Sequence, residues 1–168
     1  MKYDLNYLEN MMRMYSKSAE TIAKIRWDFV LSCSPKTVLD YGCGCGFFRA
    51  YRPNWIEVDS YDINSSCPQT GINNNEYDLV CLWDVFEHMS EPLSIRTKYI
   101  ALTIPIKPDD VKLKDWYHFK PFEHLIYFNH EYIDTIFESL GFKQIKCGQP
   151  ECPPRKDIWD FLYEKNNS

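Results

Sequence analysis

The sequence predicts an α/β fold: a mainly parallel sheet with helices on both faces, preceded by a helical segment. Three observations carry this. Helix-spaced apolar positions alternate with short apolar runs along the chain. One of those runs, Thr37-Val38-Leu39-Asp40-Tyr41, feeds straight into the glycine cluster 42–46. A length of 168 residues leaves room for one domain, read as N-terminal helices over 1–34, a core over 35–148 and a C-terminal tail over 149–168.

The elements follow in order. Leu5, Leu8, Met11, Met12 and Tyr15, then Ile22, Ile25 and Phe29, recur at three- and four-residue steps, so 4–32 reads as helix. Ser34-Pro35 ends it, because proline disfavours helix in the residue before it. Thr37–Tyr41 is the kind of run a buried parallel strand shows. Phe47–Arg52 can make about two helical turns before Pro53. Trp55–Ile63 and Tyr77–Trp83 read as the second and third strands, Asp84–Lys98 as mostly helix, and Tyr99–Ile106 as a fourth strand. Residues 107–124, polar and aromatic with two prolines, fit no regular element. Ile133, Ile136, Phe137 and Leu140 have helical spacing, and Gly141 stops that helix. Phe142–Cys147 reads as the last strand, and the proline-bearing tail as carrying a short helix near Asp157–Tyr163.

Composition narrows the function. The 19 basic and 24 acidic residues give a formal net charge of −5, against the basic surplus a non-specific nucleic-acid binder shows. No apolar run approaches the roughly 18 residues a membrane helix needs. The start, MKYDLNYLEN, has no apolar signal core, so a cytoplasmic location is expected. Seven cysteines, an odd number, fit reduced thiols rather than a disulfide framework.

The strongest motif is Asp40-Tyr41-Gly42-Cys43-Gly44-Cys45-Gly46. Closely spaced glycines after a strand let a ligand approach main-chain atoms that a Cβ would block. The pattern is D-x-G-x-G-x-G, and Phe47 stands where a dinucleotide fingerprint has its third glycine, which disfavours an ordinary dehydrogenase. An acid at the strand end suits a cationic or amine-bearing ligand. Cys43-x-Cys45 invites a metal reading, but no second cysteine pair or histidine pair stands at zinc spacing, so no metal is expected.

With these residues in place, the sequence resembles the class I S-adenosylmethionine-dependent methyltransferases, which have a Rossmann-like sheet. It is most similar to the small-molecule type with a D-x-G-C-G-x-G loop and a D-V-x-E-H motif, as in ubiquinone-biosynthesis methyltransferases, over about residues 37–146. The resemblance implies that Asp40, Gly42, Cys43, Gly44 and Gly46 hold the methionine part of the cofactor. Asp62 with Ile63, in Tyr61-Asp62-Ile63, would hold the ribose, with Asp59 as the competitor. Asp84 and Val85, in Asp84-Val85-Phe86-Glu87-His88, would sit beside cofactor and acceptor. His88, His118 and His124 are the candidate proton acceptors; a helix-start bond for His88, a bond to Glu123 or backbone for His124 and a surface place for His118 stand beside that reading.

Methyl transfer to a small-molecule oxygen, nitrogen or carbon follows from the resemblance. The alternative is a non-catalytic cofactor-binding module that serves a partner protein. The family places a helix, a strand and another helix between its second and fourth strands, whereas Asn64–Glu76 offers 13 residues. Two crossovers and a strand cannot fit there, so the sheet should be reduced, with Trp55–Ile63 at its edge. That edge, left exposed, would favour a homodimer, and the adenine side of the cofactor pocket should be thin.

Overall fold

The computed structural model describes residues 9–10, 13, 18–90, 94–152 and 155–166. The first half of the predicted 4–32 helix falls largely outside them; its second half is α1, Ala19–Val30. The chain continues through β1 (Thr37–Tyr41), a single-turn α2 (Phe47–Ala50), β2 (Glu57–Tyr61), β3 (Glu76–Trp83) and β4 (Arg96–Pro105). α3 (His130–Ser139), β5 (Phe142–Gly148) and β6 (Ile158–Lys165) complete it. Asn129 caps α3 by accepting the Tyr132 N–H at 2.8 Å, and Gly141 takes φ +80° just beyond its end.

One sheet of six strands has the order β2-β1-β3-β4-β6-β5. The first four strands are parallel, and β6 enters antiparallel between β4 and β5. Side chains alternate between the two faces as the pleat demands. Val80 and Leu82 of β3, with Leu39, Leu102 and Phe161, face α3 through Ile133 and Phe137. Leu79, Cys81 and Trp83, with Val38, Ala101 and Leu162, face α1 and α2 through Trp27, Val30 and Phe48. Trp27 stacks on Phe48 at 4.1 Å and donates its indole N–H to the Phe48 carbonyl at 2.9 Å. Helices therefore cover both faces, and the central strands read as continuous apolar runs because both of their faces are buried.

No strand lies in 62–75; β2 is the edge strand and a loop stands in place of the third family strand. That edge is not bare, contrary to the expectation that favoured a homodimer. The loop returns along it: the Ser60 carbonyl accepts the Thr70 and Gly71 N–H groups, and the Ser60 N–H donates to Thr70 Oγ1. The Asp62 N–H donates to Gln69 Oε1, and Arg49 Nε covers the Val58 carbonyl at 3.3 Å. The strand partners that a second copy would supply at these positions come from the chain itself.

Two predicted helices are not helices. After β3 the chain makes only one 3₁₀ turn, Phe86–His88, before Met89 is extended. Asp84 takes φ +60°, and the Glu87 carbonyl accepts the Leu125 and Ile126 N–H groups from across the site. The segment expected as a tail helix, Asp157–Tyr163, lies largely in β6. Its backbone pairs on both sides, and Thr103 Oγ1 donates to Asp160 Oδ1 at 2.5 Å across the β4–β6 pair. Among the described residues, no helix is long and apolar enough to cross a membrane.

Candidate active site

At the carboxyl end of β1 the chain turns through Gly42, Gly44 and Gly46, at φ +84°, +49° and +74°. Gly42 is required twice over: its φ is left-handed, and a Cβ there would collide with Val85 Cγ2. The Gly42 and Cys43 N–H groups donate to the Tyr61 carbonyl at 2.7 and 3.0 Å, tying the loop to the end of β2. Asp62 shapes the same loop, accepting the Gly44 N–H through Oδ2 at 2.9 Å and the Asn64 N–H through Oδ1 at 2.8 Å. Its neighbour Ile63 is exposed. Asp59 is occupied elsewhere, accepting from the Tyr77 hydroxyl at 2.7 Å and from Asn73 Nδ2 at 2.8 Å.

Asp40, beneath this loop, is 2% exposed, and its Oδ2 has no hydrogen-bond partner. Burial pushes its pKa up to about 7; the Arg26 guanidinium opposes that rise and the Asp62 charge adds to it. A buried carboxyl oxygen without a hydrogen-bond partner is costly unless a ligand supplies one.

A four-membered ion network lies beside Asp40. Arg155 grips Asp84 with both Nη atoms, at 2.5 and 3.1 Å, and Arg26 Nη2 reaches Asp84 Oδ2 at 2.9 Å. Glu151, itself buried, accepts from Arg26 Nε at 2.6 Å and from Arg155 Nη1 at 2.5 Å. Arg26 also lies over the Trp83 ring, 5.0 Å from its centroid. Burial works against the charge of Asp84, but the Arg155 and Arg26 guanidiniums outweigh it and hold the carboxyl below its ordinary range. Asp160 behind the network is pushed up to about 7 by its own burial and by Glu151. Asp84 and Glu151 thus balance the two guanidiniums, while Asp40 and Asp160 each keep one carboxyl oxygen without a partner.

The three candidate histidines divide into a pair and an outlier. His88 and His124 meet edge to face at 4.9 Å. His88 Nδ1 is 2.7 Å from the Glu123 carbonyl, so that nitrogen carries the proton and Nε2 presents the lone pair. His124 is buried, its Nδ1 has no partner, and burial with the nearby His88 lowers its pKa to about 4. Glu87 is buried beside them; burial and Asp84 push it up to about 8, and its Oε2 is unpartnered. His118 is apart from this pair, its Nε2 3.0 Å from the Lys156 carbonyl on the exposed side. Around the pair Trp116 and Phe128 are buried, whereas Tyr117 and Phe122 are exposed.

A family model described as a methyltransferase domain matches residues 14–146. The chain belongs to the methyltransferase-domain family. With the family come methyl transfer as the reaction and S-adenosylmethionine as the cofactor. Comparison with curated proteins finds no match. Among solved structures, a SAM-dependent methyltransferase from Archaeoglobus fulgidus is similar at 17% identity and TM-score 0.64, over 96% of this chain and 100% of that one. The 1,6-didemethyltoxoflavin-N1-methyltransferase of Burkholderia thailandensis, solved with 1,6-didemethyltoxoflavin and S-adenosylhomocysteine, is similar at 12% identity and TM-score 0.64, over 96% and 88%. A 16S rRNA methylase is similar at 14% identity and TM-score 0.57, over 94% and 90%. At these identities the likeness is one of fold.

Within this methyltransferase, sequence reading missed Arg26, Glu151, Arg155 and Asp160. Arg26 sits in an amphipathic helix, where an arginine ordinarily faces water. Glu151 and Arg155 lie in the segment read as a tail. Only the four-residue spacing of that acid and base was a signal, and such pairs are common on surfaces.

Proposed function

We propose that this methyltransferase moves the sulfonium methyl of S-adenosylmethionine to a small-molecule acceptor. The observation that carries the reading is Asp40 Oδ2, buried without a partner beneath the positive-φ glycine loop, where a cofactor's ammonium would complete it. Gly42, Cys43, Gly44 and Gly46 would offer main chain to the methionine end, Asp62 and Ile63 would border the ribose, and Asp84 and Val85 would sit beside the cofactor and the acceptor. When bound, S-adenosylmethionine would supply the methyl carbon as electrophile, the acceptor's nucleophile bonding to it as the carbon–sulfur bond breaks and S-adenosylhomocysteine leaves. The protein's part is to align the two and exclude water. With no metal ion bound, His88 Nε2, the nitrogen not held by the Glu123 carbonyl, would be the group to take a proton from a hydroxyl acceptor. His124 packs edge to face against it at 4.9 Å. The negative net charge of the chain favours a small acceptor over a phosphate-rich polymer.

Thermal unfolding tests the cofactor. S-adenosylhomocysteine at about a hundredfold its Kd should add roughly 2.7 kcal/mol. For a chain of this size that raises the Tm by roughly 5–10 °C, at about 2–4 °C per kcal/mol. NAD should leave the Tm unchanged, and an unmoved Tm at millimolar S-adenosylhomocysteine would reject the assignment. Binding without turnover on any acceptor would instead assign the module that serves a partner.

Asp62 and Asp59 separate in a second measurement. Asp62→Ala should weaken S-adenosylhomocysteine binding by about tenfold to a hundredfold, the cost of lost charge-assisted hydrogen bonds. Asp59→Ala, which frees only Tyr77, Asn73 and Asn74, should lower stability and spare affinity. Equal affinities for the two variants in calorimetry would place the ribose elsewhere.

A further inference from the structure

We propose that Glu87, His88 and His124 form a binding site for one divalent first-row transition ion. One donor atom from each lies within 4.8 Å of the other two, and Glu87 Oε1 is 3.9 Å from His88 Nε2. The grouping is built by the backbone: the Leu125 N–H donates to the Glu87 carbonyl at 2.8 Å, which holds the segment after His124 against the Phe86–His88 turn.

Two atoms at this place want a partner. Glu87 Oε2 and His124 Nδ1 are both buried with no hydrogen bond, on residues 2% and 7% exposed. Orphaned polar atoms are rare in folded proteins, and two on side chains of one metal-ligating cluster point to a partner that the cluster would bind. His88 carries the orientation that ligating imidazoles show: the proton on Nδ1 is given to a main-chain carbonyl, and Nε2 is left as the donor.

The donor set identifies the ion. Two imidazole nitrogens and one carboxylate oxygen suit Zn²⁺, Mn²⁺, Fe²⁺ or Co²⁺, whereas Mg²⁺ and Ca²⁺ prefer oxygen alone. Three protein ligands leave at least one coordination position open for water, as catalytic sites do and structural zinc sites do not. Ligands about 2.1 Å from one ion lie at most about 4.2 Å apart, so binding draws the three side chains slightly together. Val85, two residues before Glu87, packs on Gly42, which puts the ion beside the cofactor loop. The expectation of no metal rested on local spacing, which does not see a ligand brought in from 36 residues downstream of His88.

The inference does not rest on the acceptor or on turnover, because it is read from the free protein. The full chain, stripped with a chelator and dialysed, is titrated with Co²⁺ and followed by visible absorption and calorimetry. One Co²⁺ per chain is expected, with d–d bands and without the intense near-ultraviolet band of thiolate ligation, which separates this site from the cysteines. His124→Leu should fold as stably as the parent without metal, since it removes an orphaned nitrogen, yet lose the rise in Tm that Co²⁺ gives the parent. His88→Ala should weaken Co²⁺ by at least about tenfold. No uptake by the parent, a thiolate band, or uptake unchanged in both variants would overturn the proposal.

Discussion

Arg26→Met should destabilise the folded chain by roughly 3–5 kcal/mol, the usual cost of removing one partner from a buried ion network. At about 2–4 °C per kcal/mol this is a fall in Tm of roughly 6–20 °C. Methionine retains the apolar stem that covers Trp83, so the loss reports the guanidinium. Without it, Asp84 and Glu151 share Arg155 alone, and Asp40 loses the one nearby cation that moderates its burial. Urea unfolding near neutral pH measures the effect, and a loss under about 1 kcal/mol would mean that water already screens the network. The double variant Arg26→Met/Glu151→Gln should recover part of the loss, because the stranded buried charge is then gone.

That network shows where sequence reading reached its limit. The glycine loop was legible because positive-φ turns demand glycine and Asp40-x-Gly-x-Gly-x-Gly leaves little else to build. The missing strand was legible from chain length alone, since Asn64–Glu76 cannot hold two crossovers. What failed were segments whose apolar spacing fits helix and strand alike. Ile158–Tyr163 is buried on both faces between β4 and β5, so it has no two-residue alternation to betray it. Val85, Phe86 and Met89 have helical spacing, but the structure spends them on Gly42 and the core around a single turn.

The edge expectation failed for another reason. Thr70, Gly71 and Gln69 pair with β2 as a strand would while lying in irregular chain, and no propensity announces hydrogen bonds of that kind. His88 and His124 were each legible as a candidate. Their juxtaposition with Glu87 was not, because it depends on a loop-to-turn contact across the site.

Asp40→Asn should strengthen the fold and weaken cofactor binding at the same time. The folded chain holds the Asp40 pKa at about 7, well above its ordinary value of 3.8. A raised pKa means that the folded state binds this proton more tightly than the unfolded state does. The stabilising contribution is therefore complete below about pH 4 and lost as pH rises through 7. The amide carries no such burden, so the variant should gain stability over the parent above pH 7 and none in acid. Binding has the opposite sign. The cofactor's ammonium favours ionised Asp40, so below pH 7 each binding event releases close to one proton. The affinity of the parent for S-adenosylhomocysteine should then rise by up to about tenfold per pH unit and level off above 7. In Asp40→Asn the charge-assisted bond is gone, affinity at pH 8 should fall about tenfold to a hundredfold, and the pH profile should be flat. Calorimetry at pH 6 in two buffers of different ionisation enthalpy reads the released proton directly. A variant that binds as tightly as the parent, or a parent that releases no proton at pH 6, would remove Asp40 from the cofactor site. A group that costs the empty protein stability and returns it as affinity is what a binding site built on a buried carboxylate requires.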